Sequence, residues 1–116
     1  MHQFKCLKVW ENAVDFCVLC YSNTSAFPPD ERFGLMSQIR RASVSVAANI
    51  AEGAGRNTNG EFKQFLGVAT GSLFEVETQL IIASRLNFLA ENELKEMQQK
   101  IVEIQSKIYR LKQSLA

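Results

Sequence analysis

Apolar residues recur along this chain at alternating three- and four-residue steps, and no strand pattern competes with them. In the last quarter, Leu94, Met97, Ile101, Ile104, Ile108, Leu111 and Leu115 hold that rhythm without a break. The spacing places all seven on one face of a helix. A second regular seam runs through Phe62, Leu66, Ala69, Leu73, Val76, Leu80 and Ala83. A third joins Leu35, Ile39, Ala42, Val46, Asn49 and Gly53, with Asn49 its one polar member. A polar residue on such a seam sets register or oligomer state. The first helix shows a looser stripe of Trp10, Ala13, Val14, Cys17 and Tyr21. The pattern predicts helices over about residues 7–24, 29–53, 58–87 and 91–115. With connections this short, neighbours run antiparallel. The expected fold class is all-α, a single up-down-up-down four-helix bundle over residues 1–116.

Local signals set the boundaries. Phe27-Pro28-Pro29 ends the first helix, because a residue before proline is pushed out of the α region. Pro29-Asp30-Glu31 reads as the start of the second, with proline in the first turn and two acids at the positive end of the dipole. The stretch from Gly53 to Gly60 reads as a turn, with Gly53 and Gly55 suited to positive φ past a helix end. Thr58-x-x-Glu61 fits a capping box for the third helix. Asn87-Phe88-Leu89-Ala90 separates the last two helices.

The middle hairpin is rich in small residues. A glycine inside a helix costs about 1 kcal/mol relative to alanine, and the third helix carries Gly67 and Gly71 one turn apart. Antiparallel register predicts Gly67 against Ala48 and Gly71 against Val44 or Ser45, with the backbones in close approach. The same register predicts ion pairs between Glu52 and Lys63 and between Arg40 and Glu75. Phe65, Phe74, Ile81 and Ile82 lie off the third helix's seam. A helix apolar nearly all round is buried on several sides, so these four are the candidate subunit interface.

Composition narrows the function classes. The net charge of +1 balances 13 basic against 12 acidic residues, too even for a dedicated electrostatic binder. The opening Met1-His2-Gln3-Phe4-Lys5 lacks a targeting pattern. No stretch approaches the roughly 20 apolar residues of a membrane span. Three cysteines without a secretory opening point to reduced thiols and a cytoplasmic location. Cys17-x-x-Cys20 falls on a helix, where a structural role outweighs a redox or zinc role. His2, the sole histidine, lies near a terminus where order is not expected, which leaves no general acid–base candidate. No catalytic constellation, metal-ligand set or cofactor motif stands out. Arg40-Arg41, with Arg56 and Lys63 nearer the turn, is the one candidate phosphate-binding cluster.

Several ordered motifs then converge. They are Leu7-x-Val9-Trp10-x-x-Ala13, Phe27-Pro28, Gly34-Leu35-x-x-Gln38-Ile39-Arg40-Arg41-Ala42-Ser43, Asn49-Ile50-Ala51-Glu52-Gly53, and Ala69-x-Gly71-Ser72-Leu73-x-Glu75-Val76-Glu77. On them the chain resembles the small four-helix proteins encoded in intervening sequences of bacterial 23S ribosomal RNA genes. The resemblance implies a bundle that assembles as a ring, a homopentamer in known relatives, with no enzyme activity, no cofactor and no small-molecule substrate. Asn49, Glu52, Gly53, Gly67, Gly71 and Glu75 are expected to play structural parts, by their places on the seams, in the turn and in the hairpin contact. A related branch serves diversity-generating retroelements and contacts reverse transcriptase and nucleic acid. Two readings stand: a homo-oligomeric scaffold or adaptor, or a direct RNA- or DNA-binding accessory protein using Arg40, Arg41, Arg56 and Lys63.

Overall fold

The structure is a computed structural model that describes residues 2–115. Four helices carry it: α1 (Lys8–Thr24), α2 (Leu35–Ala54), α3 (Asn59–Arg85) and α4 (Glu91–Ser114). Short 3-10 turns at Phe4–Cys6 and Pro29–Glu31 precede α1 and α2. Each helix packs on its neighbours in sequence, α1 closes on α4, and the backbones of the diagonal pairs stay apart. This is a four-helix bundle with one shared core and no strand among the described residues. Its long axis measures 44 Å. The 27 residues of α3, at about 1.5 Å per residue, run most of that length.

The α3 and α4 seams lie where the periodicity puts them. Leu73, Leu80 and Ile101 are wholly buried, and Ile104 is 2% exposed. In α2, Leu35, Ile39, Ala42, Val46 and Gly53 are buried, joined by Ile50. The α1 stripe is different from the expected one. Its core residues are Val9, Ala13, Phe16, Cys20 and Thr24. Two apolar stripes share Ala13, and the bundle takes the one that buries the large Phe16 ring. Trp10, Val14 and Cys17 are left half-buried on the flank and Tyr21 exposed.

Three local expectations are also corrected. Pro29-Asp30-Glu31 forms a 3-10 turn, and α2 proper begins at Leu35. Gly34, at φ −110° and ψ −116°, breaks the helical path, and the Glu31 carboxylate accepts the Leu35 N–H at 3.0 Å. Gly53 does not end α2 with positive φ; no described glycine has positive φ, and the helix continues through Ala54. His2 is ordered: its N–H donates to the Ala54 carbonyl at 2.7 Å and its ring lies 5.1 Å from that of Phe62.

The close approach of α2 and α3 is real but sits elsewhere than predicted. A Cβ on Gly53 would stand 2.6 Å from Phe65 Cβ and 3.0 Å from Phe62 Cδ1. A Cβ on Gly67 or Gly71 would meet nothing within 4 Å, and both glycines are exposed. The Ser45 and Ser72 hydroxyls, 3.0 Å apart, fix the register. Ala69, Ser72, Leu73 and Val76 then face inward, and Gly67 and Gly71 turn outward. Asn49 donates to the Ser45 carbonyl at 2.8 Å and the Ser45 hydroxyl at 2.9 Å, completing a small polar chain across the hairpin. Thr58 caps α3 by accepting the Glu61 N–H at 3.1 Å; the Glu61 carboxylate takes the Thr58 hydroxyl rather than a backbone N–H. At the other end Asn87 adopts φ 63°, and the Phe88 N–H reaches the Ala83 carbonyl at 2.9 Å, a left-handed helix stop.

Contrary to expectation, α3 is long and apolar enough, by length and composition, to cross a membrane, with a window of mean hydropathy 1.3. Only 39% of that window is buried within the bundle. The helix therefore presents apolar surface on two sides: the core seam, and an outer face.

Candidate functional site

Two surfaces collect the residues singled out from sequence. The first is the outer face of α3. Gly67, Gly71, Phe74, Thr78 and Ile82 follow one another at three- and four-residue steps and all are exposed. Phe74 is 47% exposed and Ile82 45%. Val68 and Leu86 flank them, also exposed. Of the other two predicted interface residues, Phe65 is half-buried, its backbone side against Gly53 and its ring 4.7 Å beneath the Arg56 guanidinium. Ile81 is half-buried beside the turn between α3 and α4. Beside the outer face, Gln79 is buried; its Nε2 donates to Glu75 at 3.3 Å, and its Oε1 has no partner among the described residues.

The second surface is a cleft of about 680 Å³ where the end of α1 and the following turn meet the start of α2. Arg32, Arg40 and Arg41 line it, with Tyr21, Phe33 and Met36, and no carboxylate does. Arg40 is held in place. Its Nε donates to Thr24 Oγ1 at 3.0 Å, its Nη2 to the Tyr21 carbonyl at 3.2 Å, and its guanidinium lies 4.5 Å over the Tyr21 ring. The predicted Arg40–Glu75 pair is therefore absent. Position 40 faces α1, on the same side as Ser43, which donates to Cys17 Sγ, whereas Ser45 faces α3.

The four predicted basic residues do not form one patch. Arg56 lies past the far end of α2, 16 positions beyond Arg40, or roughly 24 Å at the helical rise. There Arg56 pairs with Glu52 at 3.1 Å, replacing the expected Glu52–Lys63 pair. Both side chains are well exposed, so the pair adds little stability. Lys63 makes no ion pair among the described residues. Sequence reading missed Arg32, Phe33 and Tyr21, which the turn between α1 and α2 brings to Arg40 and Arg41. Their signal was present in the adjacent Arg32-Phe33 and in Tyr21.

The thiols are dispersed. Cys6 is exposed, Cys17 half-buried and Cys20 buried. Among the described residues no three His, Cys, Asp or Glu side chains cluster in a way that would hold a metal. Burial, then the neighbouring Cys17 sulfur, push the Cys20 thiol up from 9.0 to about 12. In the unfolded chain this thiol ionises near 9, so its contribution to stability is full below that pH and falls as pH rises toward about 12. Alkylation at about pH 8 should modify Cys6 readily and Cys20 only on unfolding, because the thiolate is the nucleophile. Equal labelling rates in peptide mass spectra would contradict the buried, protonated assignment.

Comparison with known proteins fits this architecture. No curated protein matches the chain. One similar solved structure is a protein of unknown function from the S23 ribosomal protein family of Bacteroides thetaiotaomicron VPI-5482. It aligns with a TM-score of 0.80 at 20% identity, covering 90% of this chain and 97% of that one, and so shares the fold. Residues 5–110 match the family model for 23S rRNA-intervening sequence proteins, a span that takes in all of α1 to α3 and most of α4. On that match the chain belongs to the 23S rRNA-intervening sequence protein family.

Proposed function

We propose that this protein is a non-enzymatic scaffold or adaptor that works as a homo-oligomeric ring, with the outer face of α3 buried against a second copy. The observation that carries this is the second apolar stripe on α3. Gly67 and Gly71 leave open notches on it, and Phe74 and Ile82 project from it. Glycines inside a helix are costly, and inside the subunit these two contact nothing that requires them. Notches and knobs on one stripe suit packing against a helix on a different face of the next copy. A contact between two different faces makes a ring when its rotation closes, and the five-fold order follows the family resemblance.

The proposal has a direct test. Light scattering at micromolar concentration should give a multiple of 13.1 kDa. A mass of 13.1 kDa overturns it. Gly71→Leu should leave the helical content of the subunit unchanged and reduce the mass severalfold, because the added side chain fills the notch. An unchanged mass for this variant removes the α3 face from the interface.

A further inference from the structure

We propose that the cleft between the end of α1 and the start of α2 binds single-stranded nucleic acid, with Phe33 stacking on a base and Arg32, Arg40 and Arg41 taking adjacent phosphates. The cleft is built within one subunit, so the proposal stands apart from the assembly reading.

Charge, concave shape and an exposed aromatic ring coincide in this cleft. Three guanidinium groups line the cleft, no carboxylate lines it, and none of the three forms an ion pair among the described residues. Glu31, nearby, is occupied with the Leu35 N–H. Arg40 is fixed by two hydrogen bonds and a stacked ring, which leaves its remaining N–H donors for an outside acceptor. Arginine's planar fork suits phosphate oxygens.

Phe33 decides the class of ligand. It is 88% exposed, the most exposed large apolar side chain described, and Arg32 lies 5.4 Å from its ring centre. Tyr21, 43% exposed, lies under Arg40. Cations beside an open aromatic ring are what a strand of bases and phosphates recognises: every base offers a π-face, and every linkage a charge. An acidic peptide would use the arginines and leave Phe33 idle. A duplex hides its bases and cannot stack on it. The volume of about 680 Å³ falls within the range of ligand clefts and accommodates only a short stretch of strand. A chain of net charge +1 binds this way because the cations are concentrated locally.

The experiment is titration of a fluorescent mixed-sequence single-stranded RNA or DNA with the intact protein, with light scattering on the same samples. Binding should weaken as salt rises, with a log–log slope near −2 per subunit for about three phosphates at roughly −0.7 each. Arg41→Ala should flatten that slope by about 0.7. Phe33→Ala, at a site too exposed to support the fold, should weaken binding by about fivefold to a hundredfold at all salt concentrations. A monomeric sample that binds supports the cleft while refuting the ring. Absence of binding at low salt overturns the proposal. So does affinity unchanged by Phe33→Ala, equal competition by a polyglutamate of matched charge, or binding of free AMP as tight as that of the strand.

Discussion

Replacing Gly53 by valine is expected to destabilise this protein by about 3 kcal/mol or more. The first added carbon alone would stand 2.6 Å from Phe65 Cβ, closer than real side chains approach one another. That neighbour is bonded directly to the α3 backbone and has no rotamer into which to withdraw. The second contact, Phe62 Cδ1 at 3.0 Å, belongs to a ring that is 1% exposed and packed in the core. Relief therefore requires α2 and α3 to separate near their shared turn, and a branched side chain widens the gap further. The strap from His2 to Ala54 and Phe62 crosses the same place and would shift with them. Gly55→Ala is the matched control. Its Cβ would meet only carbonyl oxygens at 3.6 and 3.9 Å, and its φ of −85° suits any residue. Urea denaturation should show the Gly53 variant unfolding far earlier and the Gly55 variant near wild type. Coincident midpoints for Gly53→Val and wild type would refute the close approach.

That pair of glycines shows what was legible in the sequence and what was not. The composition of the hairpin showed that two helices approach closely, because glycine in a helix is costly without a reason. It did not show which glycine was responsible. Gly53 sits on the expected α2 seam but beside a turn signal; Gly67 and Gly71, off their seam but inside a helix, carry the plainer sign of a contact. The choice depends on rotation about the α3 axis, and a helix apolar on both sides leaves that rotation open. The same ambiguity misplaced the α1 stripe. Trp10 and Tyr21 mark one face and Phe16 lies on another, and the packing of α1 on α2 and α4 buries Phe16. Seams with a single apolar face, as on α4, leave no such choice. The arginine cleft was half legible. Arg40-Arg41 stood out as a cluster, but a turn of ten residues between α1 and α2 brings Arg32 and Phe33 to it. Periodicity does not describe where such a turn points. Arg56 and Lys63 lie nearer the turn between α2 and α3, and the length of α2 keeps them from Arg40.

The α4 seam carries the second large expectation. Ile104→Ala should cost about 2–5 kcal/mol. The side chain is 2% exposed and belongs to the shared core. Truncation removes three carbons, and at about 0.8 kcal/mol for each buried CH₂ the transfer loss alone exceeds 2 kcal/mol. The remaining cost depends on whether the surroundings collapse into the space. Here they are poorly placed to do so. Ile104 adjoins a surface crevice of about 310 Å³ between α1 and α4, with Phe16 and Leu19 on its far wall. Phe16 is wholly buried and held by the core behind it. Collapse would require α1 to slide toward α4, away from the Ser43–Cys17 and Arg40–Thr24 contacts that tie it to α2. The cavity should therefore persist, and the loss should fall in the upper half of the range. Leu111→Ala, two turns further along the same helix but half-buried, should cost clearly less. Denaturation of the two variants in the same buffer measures the difference directly. If Leu111→Ala proves the more damaging, the inward face of α4 is wrongly assigned, and with it the closure of α1 on α4 that completes the bundle.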